Sequence, residues 1–381
     1  MTYKILFFIV DRANYGRLFP VISRFQTDSR FNVETCFLAN AVLPDYGDLI
    51  SQATKYGIEV THKLYTTIRG STHNTMVLTI SNILSQVSLL LEAIVPDMVI
   101  LIGDRYEALG CAIASSYKNI YIAHFQGGEL SGTIDETTRH VITKMSHLHF
   151  PATEESAKII MCLGENPSNI HPIGCPVSDI ISSITNSPFE PSRYIDYFPL
   201  KFLRELDHGF ILASIHPVTT DPVESVLISK VVQEVLRDLD IPVIWILPNI
   251  DPGSNEIQNN LQKWPRVCYV SNIMPLDYQY LLLHASVAVG NSSSYIRDAG
   301  LHGTPVISLG SRQRNRELTD NAISIAHPDN SSLKECILSQ LKHGRYFPDI
   351  LYGNGSVSDN AADLVFDFLT NHPFHQKSWY V

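Results

Sequence analysis

Short apolar runs alternate with helix-length amphipathic segments along the whole chain. In the first half "YKILFFIV", "VETCFLA", "MVILIG", "IYIAHF" and "HLHFPAT" read as strands, followed in the second half by "GFILASIH", "PVIWILPN", "VAVGNSS" and "TPVISLG". Near-continuous apolar strands separated by helices belong to parallel sheets covered on both faces. The pattern therefore predicts an α/β, doubly wound architecture, in which ligands sit at the carboxyl ends of the strands. Polar residues collect at those ends: Asp11 and Arg12, Asp104 and Arg105, Glu129, His216, Asn249, and Asn291 to Ser293.

A chain of 381 residues suits two domains of comparable size. The periodicity fails between Ser182 and Leu206, where "TNSPFEPSRYIDYFP" collects three prolines. This places a first domain at 1–185, a linker at 186–206, and a second domain at 207–381 that ends in the tail "HPFHQKSWYV". The tail is expected to be peripheral, its His372 and His375 without a role. No apolar run approaches the roughly 20 residues of a membrane helix, "VSLLLEAIV" being broken by Glu92. The opening run reads as a buried first strand, since Asp11 follows it and no small-residue cleavage site does.

Composition narrows the partners. With 45% hydrophobic and 17% charged residues the chain reads as globular and soluble. Six cysteines without a close pair (Cys36, Cys111, Cys162, Cys175, Cys268, Cys336) argue against a zinc knuckle or disulfide framework and look like small buried residues of a reducing cytoplasm. A formal charge of −10 disfavours nucleic acid but permits a small anionic ligand held by local arginines.

Four stretches carry candidate chemistry. In "HFQGGELSGTIDETTRH" a buried strand runs through Gly127-Gly128 into Glu129, and Thr133 then opens an acidic helix. There Asp135 and Arg139 share one face, as do Glu136 and His140. Helix-surface ion pairing is the ordinary explanation of such spacing. The place just after a buried strand, with the charged turn "GDRYE" upstream, favours a site instead. In "VAVGNSSSYIRDAG" the hydroxyls of Ser292, Ser293 and Ser294 and the helix N-terminus converge where a diphosphate would bind, and Asp298 lies deeper for ribose hydroxyls. Capping explains one serine only, and leaves the following loop with Arg312, Arg314 and Arg316 unexplained. In "SIHPVTTDP" His216 ends a buried strand as a phosphate donor or acid. Arg12, in "VDRANYGRL", opens a helix suited to phosphate, although one glycine makes a weak motif. His147 and His149 share one side of a strand with no third ligand at metal spacing and are taken as structural.

Taken together, "GDRYEALGCAIA", "GGELSGTIDETTRHVITKMSHLHF", "HPVTTD", "PNIDPGS", "GNSSSYIRDAG" and "GSRQRNRE" resemble the hydrolysing UDP-N-acetylglucosamine 2-epimerases of sialic and related nonulosonic acid pathways, from Arg12 to about Gly353. Non-hydrolysing relatives typically carry Thr-Arg-Pro-Glu and His-Arg-Arg-Glu where this chain has "DRANYG" and "HPVTTD". The resemblance implies a GT-B-like fold of two Rossmann-like domains with the UDP-sugar in an inter-domain cleft. It implies UDP recognition by Arg12, Arg105, His216, Asn249, Ser292, Ser293 and Asp298, with Arg312 beside them. Acid–base work falls to Asp104, Glu129, Asp135 and Glu136, with Arg139 orienting and His216 a candidate acid. Gln126 departs from the Glu or His of relatives, so no base is assigned there. A homodimer or homotetramer without metal, redox cofactor or membrane partner is implied. The substrate is UDP-N-acetylglucosamine or, for legionaminic acid, UDP-N,N'-diacetylbacillosamine. The rivals are a non-hydrolysing epimerase, disfavoured by "DRANYG" and "HPVTTD", a GT-B glycosyltransferase, over which the acid-rich "GTIDETTRH" favours an epimerase, and a UDP-sugar-binding regulator, disfavoured by the presence of Asp104 and Asp135.

Overall fold

The computed structural model describes residues 2–184, 188–371 and 377–380. Two compact units emerge, each around a six-stranded parallel sheet. The first contains β1 (Tyr3–Ile9), β2 (Phe31–Leu38), β3 (His62–Leu64), β4 (Met98–Ile102), β5 (Tyr121–Phe125) and β6 (Leu148–Phe150), in the order β3-β2-β1-β4-β5-β6. Its helices are α1 (Arg12–Gln26), α2 (Leu49–Lys55), α3 (His73–Ile94), α4 (Tyr106–Tyr117), α5 (Ile134–Met145), α6 (Glu154–Cys162) and the start of α7 (Val177–Ile184). The second unit holds α8 (Leu200–Leu203), β7 (Ile211–Ser214), α9 (Pro222–Asp238), β8 (Val243–Ile246), α10 (Ser254–Asn259), β9 (Val267–Val270), α11 (Pro275–His284), β10 (Val287–Gly290), α12 (Ser293–His302), β11 (Val306–Leu309), β12 (Ala322–Ile325) and α13 (Asn330–His343). Its sheet order, β12-β11-β10-β7-β8-β9, repeats the first with new numbers. Both are doubly wound, Rossmann-like sheets, as the apolar pattern predicts.

All nine expected strands are present, and three more appear: β3, β9 and β12. Each of these three lies at a sheet edge and is largely half-exposed. An edge strand is covered on fewer sides and needs no solid apolar run, so it leaves little signal.

The domain limits differ from expectation. The contact division falls at Asp179/Ile180 and Tyr352/Gly353, with Ser131–Thr133 grouped with the second unit. Helix α14 (Val357–Asn371) belongs to the first unit, its Val357, Ala361, Ala362, Val365 and Phe368 joining the core of Phe7, Phe25 and Phe31. Full burial of one large apolar side chain stabilises by roughly 1.5–3 kcal/mol, so α14 is integral rather than appended. The second domain therefore does not run to residue 381. Nor is 186–206 a plain linker: Tyr194, Phe198, Phe202, Leu203 and Leu206 are buried in the second unit's core. The expected limit at 185/186, and His372 and His375, lie outside the described residues.

Two smaller expectations also change. Contrary to expectation, α3 is long and apolar enough by length and composition to cross a membrane, because Glu92 is its one Asp, Glu, Lys or Arg residue and its other breaks are uncharged polar residues such as Ser, Thr, Asn and Gln. It packs Ile83, Val87 and Leu91 into the core. All six cysteines are free; Cys36, Cys111 and Cys175 are buried, but Cys162 is exposed and Cys268 and Cys336 are half-buried.

Candidate active site

In an open doubly wound sheet the ligand site lies where the strand order reverses, beyond the carboxyl ends of the two strands flanking that point. In the first unit those strands are β1 and β4, which lead into Asp11-Arg12 and Asp104-Arg105. In the second they are β7 and β10, which lead into His216 and Asn291–Ser293. Four of the five strand-end candidates of each unit thus lie at its switch point, Glu129 following β5 and Asn249 following β8 instead.

In the first unit the chain leaves β5 through Gln126, Gly127 and Gly128. Gly128 has φ +76°, and a Cβ there would lie 2.1 Å from the Ser156 carbonyl oxygen. Only glycine lets the turn pass so close to another backbone. Glu129 follows, buried. Farther on, α5 carries half-buried Asp135 and Glu136 in its first turn. Arg139, one turn later, is fully buried. Its guanidinium donates to the Asp104 carboxylate and to the Glu129 backbone carbonyl. Arg139 therefore turns into the protein to join two strand ends and is not part of a solvated helix-surface pair. Asp104 keeps a quarter of its side chain exposed, so the cation stands behind a carboxylate that faces outward.

Residues not singled out in the sequence complete this node. His124, wholly buried on β5, sits with Nε2 2.8 Å from the Gly103 carbonyl and Nδ1 3.1 Å from Thr143 Oγ1. Burial pushes its imidazole down to about 3, so it is neutral at ordinary pH. A carbonyl only accepts, so Nε2 carries the proton and Nδ1 accepts from the Thr143 hydroxyl. Glu107, also fully buried, grips Arg105 with two bonds of 3.0 and 2.9 Å. Arg105 also lies 3.7 Å from Asp11, so much of its fork, assigned to UDP by resemblance, is used within the protein. Asp11 caps α1 by accepting from Asn14 N at 2.7 Å, which puts Arg12 at the first helical position, half-buried. Gln126 adopts φ +62° and donates to Cys175 Sγ at 2.9 Å.

In the second unit Asn291 clamps the backbone of His216: its Oδ1 accepts from His216 N at 2.7 Å and its Nδ2 donates to His216 O at 2.8 Å. The His216 ring lies 3.2 Å from Ser214 Oγ. Ser292 is the residue before α12, yet its side chain makes no capping bond and lies 2.9 Å from Ser294 Oγ. Simple capping thus does not account for it. Arg312 Nη1 and Gln313 Nε2 both donate to Asn291 O, at 3.0 and 2.9 Å. The Arg312 loop is braced by Glu224, which accepts from Ser311 N and Oγ, and Gly132 N donates to Arg312 O at 3.1 Å. A Cβ on Gly132 would lie 1.9 Å from Ser311 O. Asn249 is buried beyond β8. Asp298 is buried too, one oxygen accepting from Gln279 at 3.0 Å. Of the other loop arginines, Arg314 is exposed and Arg316 buried.

His149 is held by Glu165 at 3.1 Å. Among the described residues no three His, Cys, Asp or Glu side chains converge as a metal site.

The family model described as UDP-N-acetylglucosamine 2-epimerase matches residues 23–365. A UDP-N-acetylglucosamine 2-epimerase of Neisseria meningitidis is 30% identical over 373 residues, covering 95% of this chain and 94% of that one. A UDP-N,N'-diacetylbacillosamine 2-epimerase (hydrolyzing) of Legionella pneumophila is 29% identical over 382 residues, covering 99% and 98%. Among solved structures, the Neisseria meningitidis UDP-GlcNAc 2-epimerase bound to UDP-GlcNAc superposes with a TM-score of 0.78 at 16% identity, over 96% of this chain and 100% of that one. This last likeness bears out the GT-B-like fold class.

Proposed function

The chain belongs to the UDP-N-acetylglucosamine 2-epimerase family, and from that premise we propose that it is of the hydrolysing kind, releasing UDP and a free 2-epimeric sugar from UDP-N-acetylglucosamine or UDP-N,N'-diacetylbacillosamine. The observation that carries the proposal is the node in which buried Arg139 holds Asp104 and the Glu129 backbone while Asp104 stays partly exposed. The loops "DRANYG" and "HPVTTD" support the hydrolytic branch. The substrate named for the Legionella pneumophila relative supports the second sugar.

The C2–H of such a sugar is not acidic, because no carbonyl adjoins it. It becomes removable as the C1–O bond to UDP breaks and positive charge grows at C1. Donors must then stabilise the departing diphosphate, and carboxylates must take the C2 proton. Elimination leaves UDP and a 2-acetamidoglycal. Water then adds its oxygen to C1, and a carboxylic acid delivers a proton to the opposite face of C2. Asp104, Glu129, Asp135 and Glu136 share these acid and base roles, with Arg139 fixing their geometry. His216, Ser292, Ser293, Arg312 and the α12 N-terminus take the diphosphate, with Arg12 adding charge. Arg105, engaged by Glu107, contributes charge more than contacts. Asn249 and Asp298 serve the nucleoside.

The reaction is tested by following UDP release from each of the two sugars with no acceptor present. Release of UDP with a free sugar is expected; turnover only with an added acceptor would mean a transferase. For the diphosphate site, changing Ser292 and Ser293 together to Ala should weaken UDP binding roughly tenfold or more, read by calorimetry with UDP alone. Unchanged affinity would move the diphosphate elsewhere.

A further inference from the structure

Lys377 lies more than two hundred residues after the carboxylates in sequence, yet it meets the helix that carries two of them. A helix leaves its last carbonyls without intrahelical partners and favours a cation at that end. At the end of α5 the Lys377 ammonium fills this role, donating to Thr143 O at 3.3 Å, Lys144 O at 2.6 Å and Ser146 O. It also pairs at 2.5 Å with Glu165, whose side chain is 2% exposed. Glu165 in turn holds Lys144 Nζ at 2.9 Å and His149 Nε2 at 3.1 Å. The neighbouring residues seat the segment. Tyr380 N donates to Gly164 O at 3.0 Å, and the Trp379 ring lies 4.3 Å from Lys144 Nζ. A Cβ on Gly164 would lie 2.4 Å from that ring. Lys377, Trp379 and Tyr380, in the described part of the tail expected to be peripheral, are thus built into the first unit.

From this end α5 reaches the candidate site by two short routes. Thr143, bound by Lys377 through its carbonyl, is bound through its hydroxyl to His124, which holds the carbonyl of Gly103, the residue before Asp104. One turn earlier, Arg139 joins Asp104 and Glu129 directly. Helix α5 is therefore anchored by Lys377 at one end and presents Asp135 and Glu136 at the other.

We propose that Lys377 is a positioning residue for the acid–base set, fixing the height and rotation of α5 and hence the placement of Asp135, Glu136 and Arg139 against Asp104. The proposal rests on the acid–base roles given to those residues above. Burial lowers the Lys377 ammonium to about 8, so it remains charged at neutral pH. The buried carboxylate of Glu165 opposes that fall.

Amide hydrogen exchange and steady-state kinetics on the full-length Lys377→Met and Lys377→Arg variants test it. In Lys377→Met, peptides spanning α5 should exchange roughly tenfold faster, since unsatisfied helix-end carbonyls lower the local opening free energy, while peptides of the second unit stay as in wild type. The kcat should fall by about the same factor with KM for the UDP-sugar within roughly twofold, and Lys377→Arg should recover most of both. Wild-type exchange in α5 with wild-type kcat would overturn the proposal, as would acceleration spread evenly over both units. Wild-type protein that turns over neither UDP-sugar would instead refute the function, and α5 exchange would still decide whether Lys377 holds the helix.

Discussion

Asp104→Asn and Asp135→Asn are each expected to lower kcat by roughly a hundredfold or more while leaving UDP affinity nearly intact. Asparagine keeps the size of the side chain and an oxygen that accepts from Arg139, so the node around Asp104 survives the change. What it loses is the ability to hold and release a proton at C2. Apart from the charge of Arg12 and Arg105, the UDP donors proposed here stand after β7 and β10, on α12 and in the Arg312 loop, elements that carry neither Asp104 nor Asp135. Calorimetry with UDP and steady-state turnover give the two readings independently. If both variants turned over at the wild-type rate, the proton transfers would not belong to these carboxylates. Glu129→Gln should follow the same direction, with part of its effect coming from the buried glycine turn it adjoins.

Arg139→Met should damage both stability and rate. The side chain is fully buried and its guanidinium meets a carboxylate and a backbone carbonyl. Breaking a wholly buried ion pair costs roughly 3–5 kcal/mol. Asp104 is 25% exposed and can recover some hydration, so about 2–3 kcal/mol is the better expectation. For a unit of this size that is a fall in Tm of about 5–10 °C. Turnover should drop by roughly a hundredfold, because Asp104 and the Glu129 turn lose their common support. Arg139→Lys should restore part of the stability and little of the rate, since one ammonium cannot reproduce the fork. Wild-type Tm and kcat in Arg139→Met would remove the node from the mechanism.

Particular residues explain what the amino-acid pattern reveals and what it hides. Central strands such as "YKILFFIV" and "MVILIG" are legible because they are buried on both faces, whereas edge strands β3, β9 and β12 are short and half-exposed. The strand-end candidates are legible because a parallel sheet fixes where its ligands lie. Chain order misleads about domains, since α14 returns to the first unit after the second is complete. Prolines mislead about the linker, because the aromatic residues among them are core. In the site, Arg139 looks like half of a helix-surface pair until the fold brings Asp104 within reach. Glu107 had a local signal, two residues from Arg105 in "GDRYE". His124, Asn291 as a clamp, Gln279 and Lys377 act through partners distant in sequence, and no short-range pattern announces them.

Turnover of UDP-N-acetylglucosamine in doubly labelled water, deuterium and heavy oxygen together, with mass spectrometry and NMR of the earliest products, tests the central claim most directly. Elimination followed by hydration predicts a free 2-epimeric sugar with one deuterium at C2 and the heavy oxygen at C1, beside unlabelled UDP. Heavy oxygen on the phosphate would mean P–O cleavage, and a 2-epimer still joined to UDP would mean the non-hydrolysing reaction; either result would contradict the roles given to Asp104, Glu129 and Asp135.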